Sequence, residues 1–152
     1  MYINNKQFAL DGLSLDGEIL IENCHRVCEL YEKISGVVKY NITGGRDDAN
    51  RLALKVSIYG IICALCQNCL EPMSLTIEHY SSPVIFNDEA KMNSALFDNN
   101  EVEDAILADS EFDVLNFLED ELILLIPIAP RHDECVGGAL VDKIKSTIQS
   151  VN

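Results

Sequence analysis

The side chains most able to do chemistry in this chain are thiols. Cys66-x-x-Cys69 sets two sulfurs three residues apart, with Cys63 three residues further back. A turn at that spacing brings both sulfurs to one side while backbone N–H groups point at them, which suits a single tetrahedral Zn²⁺. Two more ligands are needed. The residues grouped in the same way elsewhere are His132 and Cys135, in Arg131-His132-Asp133-Glu134-Cys135. A Cys₃His site of Cys66, Cys69, His132 and Cys135 would clip the two segments together. Against zinc, a metal-binding turn favours glycine at the positive-φ position after its second cysteine, and this chain has Leu70. The competing reading is reduced thiols packed as small hydrophobes, so Zn is the one cofactor the residues suggest. Thiol redox chemistry is the other alternative, but it calls for a Cys-x-x-Cys at the positive end of a helix. Here Pro72 and the alternating run beyond it place the pair between strands.

The remaining reactive residues read more plainly. Cys24 and Cys28, at i and i+4 beside His25, fit core packing. His79 sits on the apolar parity of its strand and reads as a rim histidine. Glu119-Asp120-Glu121 has no histidine or nucleophile near it in sequence and reads as a solvated acidic surface. Signatures of serine hydrolases, P-loops and dinucleotide-binding folds are absent. Nothing here indicates an enzyme or a small-molecule substrate.

The elements that must position these groups follow from periodicity. Residues 1–17 read as an irregular or short extended lead-in. From Glu18 to about Ser35, the spacing of Leu20, Cys24, Val27, Cys28, Tyr31 and Ile34 predicts an amphipathic helix ended by Gly36. Val38, Tyr40 and Ile42 alternate with polar residues and predict a strand. Residues 44–50, opening with Gly44-Gly45, read as a loop. Leu52, Leu54, Val56 and Ile58 predict a second strand, with a bulge or bend at Gly60. The strand continues into the cysteine turn, after which Met73, Leu75 and Ile77 predict a third. Val84-Ile85-Phe86 extends that face beyond Pro83. Asp113 to Ile126 returns to helical spacing, with Asp113 or Ser110 as cap, and a short helix over 139–149 closes the chain. The expected fold is α+β: a mainly antiparallel meander carrying the cysteine hairpin, packed with two amphipathic helices and a short C-terminal helix.

Length and charge limit the function. A chain of 152 residues with 48% apolar content makes one domain with a real core. Eleven basic against 25 acidic residues give a net charge of −14, which disfavours nonspecific nucleic-acid binding and anionic membranes and favours basic partners. Half of that charge lies in residues 87–112, where eight acids face one lysine. With few apolar residues to bury, the segment reads as a mobile acidic loop. No run approaches the roughly 20 apolar residues of a membrane span. The N-terminus lacks the pattern of a signal or transit peptide, so a cytoplasmic setting with reduced cysteines is expected. Lys33, Lys39, Arg46, Arg51 and Lys55 are the one foothold for RNA, and they come without an aromatic stacking pair.

Two segments together resemble a known family. Cys66-Gln67-Asn68-Cys69-Leu70-Glu71-Pro72 looks like the C-x-R-C-L-E-P hairpin of the YceD family, the large ribosomal RNA subunit accumulation proteins, with Asn68 where a basic residue is usual. The stretch from Phe112 to His132 contains Glu119-Asp120-Glu121-Leu122-Ile123-Leu124 and Pro127-Ile128-Ala129-Pro130-Arg131-His132. It resembles that family's D-L-x-x-x-x-E-D-E-I-I-L-x-L-P-x-x-P-x-H segment. The resemblance implies a non-enzymatic factor in biogenesis of the large ribosomal subunit, supporting ribosomal RNA accumulation. Combined with the charge, it points to a basic ribosomal protein, or a protein–RNA assembly intermediate, held by an acidic surface. The expected contact residues are Glu101, Glu103, Asp104, Glu119 and Asp120, with Arg46 and Arg51 beside them.

Overall fold

A computed structural model describes residues 1–132. The sequence places Cys135 and the expected C-terminal helix outside them. In chain order the elements are β1 (Tyr2–Ile3), α1 (Asn5–Leu10), β2 (Ser14–Leu20), a 3₁₀ turn (Ile21–Asn23), α2 (His25–Leu30) and β3 (Ser35–Arg46). Then come β4 (Leu52–Leu65), β5 (Pro72–Ser81), β6 (Val84–Phe86), α3 (Glu89–Asn93), a π-helical turn (Ser94–Asp98), β7 (Ala105–Leu107), β8 (Phe112–Asp113) and α4 (Val114–Leu125). The architecture is the α+β, mainly antiparallel sheet expected from the periodicity.

The sheet is built on a long hairpin. β3 and β4 pair antiparallel from Ser35↔Cys63 to Arg46↔Leu52. β2 lies outside β3. On its other edge β4 takes β5, then β6 at Ala53↔Val84. β5 and β6 thus follow one another along one neighbour across Ser82-Pro83, since proline cannot donate to the ladder. β7 adds to β6 in parallel. β1 and β8 form a separate two-stranded ribbon.

Alternation decides which face is buried. Val38, Tyr40 and Ile42 of β3 and Leu54, Val56, Ile58 and Ile62 of β4 all point into the core. Val114, Phe117, Leu118 and Leu122 of α4 and Val27 of α2 belong to the same core. Period two within the strands and 3.6 within α4 therefore converge on one apolar layer. α4 begins where expected: the Asp113 carboxylate accepts the Asn116 N–H at 3.1 Å.

Several local expectations are corrected. The helix expected from Glu18 to Ser35 is a strand as far as Leu20, a 3₁₀ turn, and a helix of six residues. The reason is tertiary: residues 14–20 lie against residues 37–43 of β3, which satisfies their backbone groups without a helix. The lead-in contains a helix, α1, whose cap Asn4 accepts the Gln7 N–H at 3.1 Å. Gly44 and Gly45 are not in a loop but continue β3, and the turn follows at Asp47–Asn50.

Gly60 is not a bulge either, because the register runs unbroken through Val38↔Gly60 and Gly60↔Ile77. A Cβ there would stand 2.4 Å from the Val37 carbonyl oxygen, so glycine is required by close backbone approach. Residues 87–112, read as a loop, carry α3, the π-helical turn and β7. Their anchor is Asn5, a fully buried polar residue. Its Nδ2 donates to the Leu107 carbonyl at 2.8 Å, and its Oδ1 accepts the Asp109 N–H at 2.9 Å.

Candidate functional site

β4 leaves the core at Leu65, and the chain reverses through Cys66–Glu71 before Pro72 opens β5. Leu70 N–H donates to the Cys66 carbonyl at 2.8 Å, and Cys66 N–H donates to the Glu71 carbonyl at 2.9 Å. The turn requires a left-handed residue, and Leu70 supplies it at φ +62°. The position that favours glycine on sequence grounds is thus occupied by leucine in the required conformation. The Gln67 N–H donates to the Pro130 carbonyl at 2.8 Å, which docks the exit from α4 onto the hairpin. That docking brings His132 to the thiols, with Cys69 Sγ 3.5 Å from its Nδ1. Cys66 is buried, while Cys69 and His132 are half-buried.

A second group of candidate side chains lines a cleft of about 650 Å³ between the β3–β4 turn, β5, residues 101–104 and α4. Its carboxylates are Asp47, Glu101, Glu103, Asp104 and Glu121, and its basic side chains are Arg51 and His79. Glu121 Oε2 lies 3.0 Å from His79 Nε2. Burial, followed by the charge of Asp104, pushes the Glu121 carboxyl above its ordinary range, while His79 opposes the shift. Burial likewise raises Asp104, against a hydrogen bond from the Ala105 N–H and the charge of His79. At the cleft's edge, Arg51 Nε donates to Asp47 Oδ2 at 2.8 Å, and its Nη1 stands 3.9 Å from Glu101 Oε2.

The cysteine turn, His132 and the cleft residues of β5, 101–104 and α4 fall within one family match, while Asp47 and Arg51 precede it. A model described as large ribosomal RNA subunit accumulation protein YceD covers residues 54–150, more than half of the chain. The chain belongs to the YceD family. No curated protein and no solved structure matches it. The family's description ties it to accumulation of large-subunit ribosomal RNA, and it is not a known enzyme family. Among the described residues, no helix is long and apolar enough to cross a membrane.

In this YceD chain the expected contact residues divide into two groups. Glu101, Glu103, Asp104 and Arg51 meet at the cleft. Glu119 and Asp120 do not; they serve α2. Glu119 Oε1 accepts the N–H groups of Arg26 and Val27 at 2.7 and 3.2 Å. The Arg26 guanidinium pairs with Asp120, lies 3.4 Å from Glu119 Oε2, and donates to the Asn116 carbonyl. The solvated reading of Glu119-Asp120-Glu121 is therefore corrected. Glu119 and Glu121 both turn inward, because α4 packs between α2 on one side and β5 on the other. Arg46 donates to the Asn50 carbonyl at 2.9 Å, at the foot of the turn.

Cys24 is buried, as its apolar parity indicates, and burial pushes its thiol up to about 11. His79 and Glu121 were not legible as a pair. The available signal was parity: His79 continues the inward series Met73, Leu75, Ile77 of β5, and Glu121 lies between inward-facing Leu118 and Leu122.

Proposed function

We propose that this protein supports accumulation of large-subunit ribosomal RNA by holding a basic ribosomal protein, or its assembly intermediate with RNA, in the acidic cleft. The observation that carries this reading is the convergence of Asp47, Glu101, Glu103, Asp104 and Glu121 on one concave surface. Their negative charge exceeds what Arg51 and His79 can neutralise. Glu103 has no ion-pair partner among the described residues. Exposed Tyr80 and Leu124 at the rim add apolar contact surface. A cleft of one sign steers an oppositely charged partner and makes its affinity salt-sensitive. The acidic composition fits a cationic protein contact better than direct capture of RNA phosphates. The family's role favours a binding factor over an enzyme.

The test is capture of large-subunit components by the full chain. Glu101→Gln with Glu103→Gln is expected to weaken capture by about five- to tenfold, most at low salt. Asp120→Asn, outside the cleft, should leave it unchanged. Equal capture by the cleft double variant and the unaltered protein would overturn the assignment.

A further inference from the structure

We infer that Cys66, Cys69 and His132 are three ligands of a structural zinc ion that fastens the segment leaving α4 to the β4–β5 hairpin. The ligand atoms of the three residues all lie within 4.8 Å of one another, although His132 is 63 residues from Cys69 in the chain. Zinc–sulfur and zinc–nitrogen bonds of about 2.3 and 2.0 Å at a tetrahedral angle put a sulfur and a nitrogen ligand roughly 3.6 Å apart. The Cys69 Sγ to His132 Nδ1 distance is 3.5 Å. That separation matches the edge of a zinc tetrahedron.

The local backbone points the same way. Leu70 is 68% exposed, so core packing does not account for its left-handed conformation at φ +62°. Such a conformation is strained for a non-glycine residue. What it secures is the tight turn that sets Cys66 and Cys69 around one point, with Leu70 N–H closing onto the Cys66 carbonyl. The exit segment is held by a separate bond, Gln67 N–H to the Pro130 carbonyl. His132 is therefore delivered to the thiols by the backbone.

The donor set decides the metal. Two thiolates and an imidazole are soft and borderline ligands, suited to Zn²⁺ and poorly suited to Mg²⁺ or Ca²⁺. A closed structural site takes a fourth protein ligand. Cys135, three residues beyond His132 in the sequence and outside the described residues, is the thiol the sequence carries as a candidate for it. On binding, each cysteine releases its proton to solvent and ligates as thiolate, with no change of oxidation state. This inference is independent of the cleft and its partner, since neither the ligands nor the turn residues 66–71 line that cleft.

The test uses the full chain, purified without chelator, with bound metal and free thiols counted on the same sample. One zinc per chain is expected. After chelator treatment, Co²⁺ should restore the site with the intense visible absorption of a tetrahedral thiolate complex. Cys69→Ser and His132→Ala should each weaken zinc affinity by roughly two orders of magnitude, and Cys135→Ser by a similar factor. Cys63→Ser, on β4 outside the cluster, should retain full binding. Because ligand variants can fail to fold, each is checked by far-ultraviolet circular dichroism. Cobalt titration of the unaltered, chelator-treated chain stands as a readout needing no variant. Failure of that chain to bind either ion would overturn the inference. So would zinc retained equally by Cys69→Ser and His132→Ala, or a reversible Cys66–Cys69 disulfide in place of bound metal.

Discussion

The carboxylate of Glu119 on α4 caps the N-terminus of α2, accepting the Arg26 N–H at 2.7 Å. The residue at the α2 cap position is Cys24, whose side chain makes no capping bond. The orphan donors of that first turn are met instead by a side chain 93 residues away in sequence. Glu119→Ala is therefore expected to destabilise the protein by about 1 to 2 kcal/mol, read as a lower denaturant midpoint. Leu115→Ala, at a half-exposed position on the same helix, serves as the comparison and should cost less.

Asn5 has the same kind of role at the other end of the molecule. Its side chain satisfies the Leu107 carbonyl and the Asp109 N–H from a fully buried position. Asn5→Ala orphans both groups, with an expected cost of about 2 to 4 kcal/mol. Hydrogen exchange should show the loss concentrated in β7 and the residues following it. Uniform destabilisation would mean that Asn5 is not what anchors the acidic segment.

Two neighbouring glycines provide an internal control on packing. A Cβ at Gly44 would stand 2.4 Å from the Phe8 carbonyl oxygen and 2.7 Å from the Ala9 Cα, whereas one at Gly45 meets nothing within 4 Å. Gly44→Ala is expected to force α1 off the sheet and cost about 1 to 3 kcal/mol. Gly45→Ala should change stability by less than about 0.5 kcal/mol. Similar thermal midpoints for the two variants would contradict the close contact of α1 with β3.

The cleft carboxylates set the sign of a pH effect. Glu121 and Asp104 are both shifted above their ordinary values of 4.5 and 3.8, chiefly by burial. Such acids bind their protons more tightly in the folded state than in the unfolded one. The stability they contribute is largest below the ordinary carboxylate range. It declines as pH rises through the raised folded values, then levels off. Glu121→Gln removes that decline for its position. The variant should thus gain on the unaltered protein as pH climbs from about 4 to neutrality, measured as the difference in urea midpoints. A difference that stays flat or runs the other way would show that His79 holds Glu121 ionised throughout.

Much of the framework was legible from one dimension. Alternation in 38–42, 52–58 and 73–77 identifies three strands because each buries one face. Cys66-x-x-Cys69 before Pro72 marks their hairpin, and Asp113 to Ile126 reads as a helix because its apolar spacing, cap and terminating Pro127 agree. These signals are local, carried by neighbours within a few residues.

Partnership over long separations was not legible. Residues 18–35 carry helical spacing, yet β3 recruits their first part as a strand, since a sheet edge satisfies a whole row of backbone groups at once. The acids of 87–112 have little to bury and read as a loop. Asn5, far away in sequence, supplies the bonds that hold them. Glu119, Asp120 and Glu121 are adjacent letters of equal charge, and only the packing of α4 gives one to α2, one to Arg26 and one to His79. Composition determined the sign of the charge, but tertiary structure decided where that charge is open to a partner, because a helix turns successive side chains toward different neighbours.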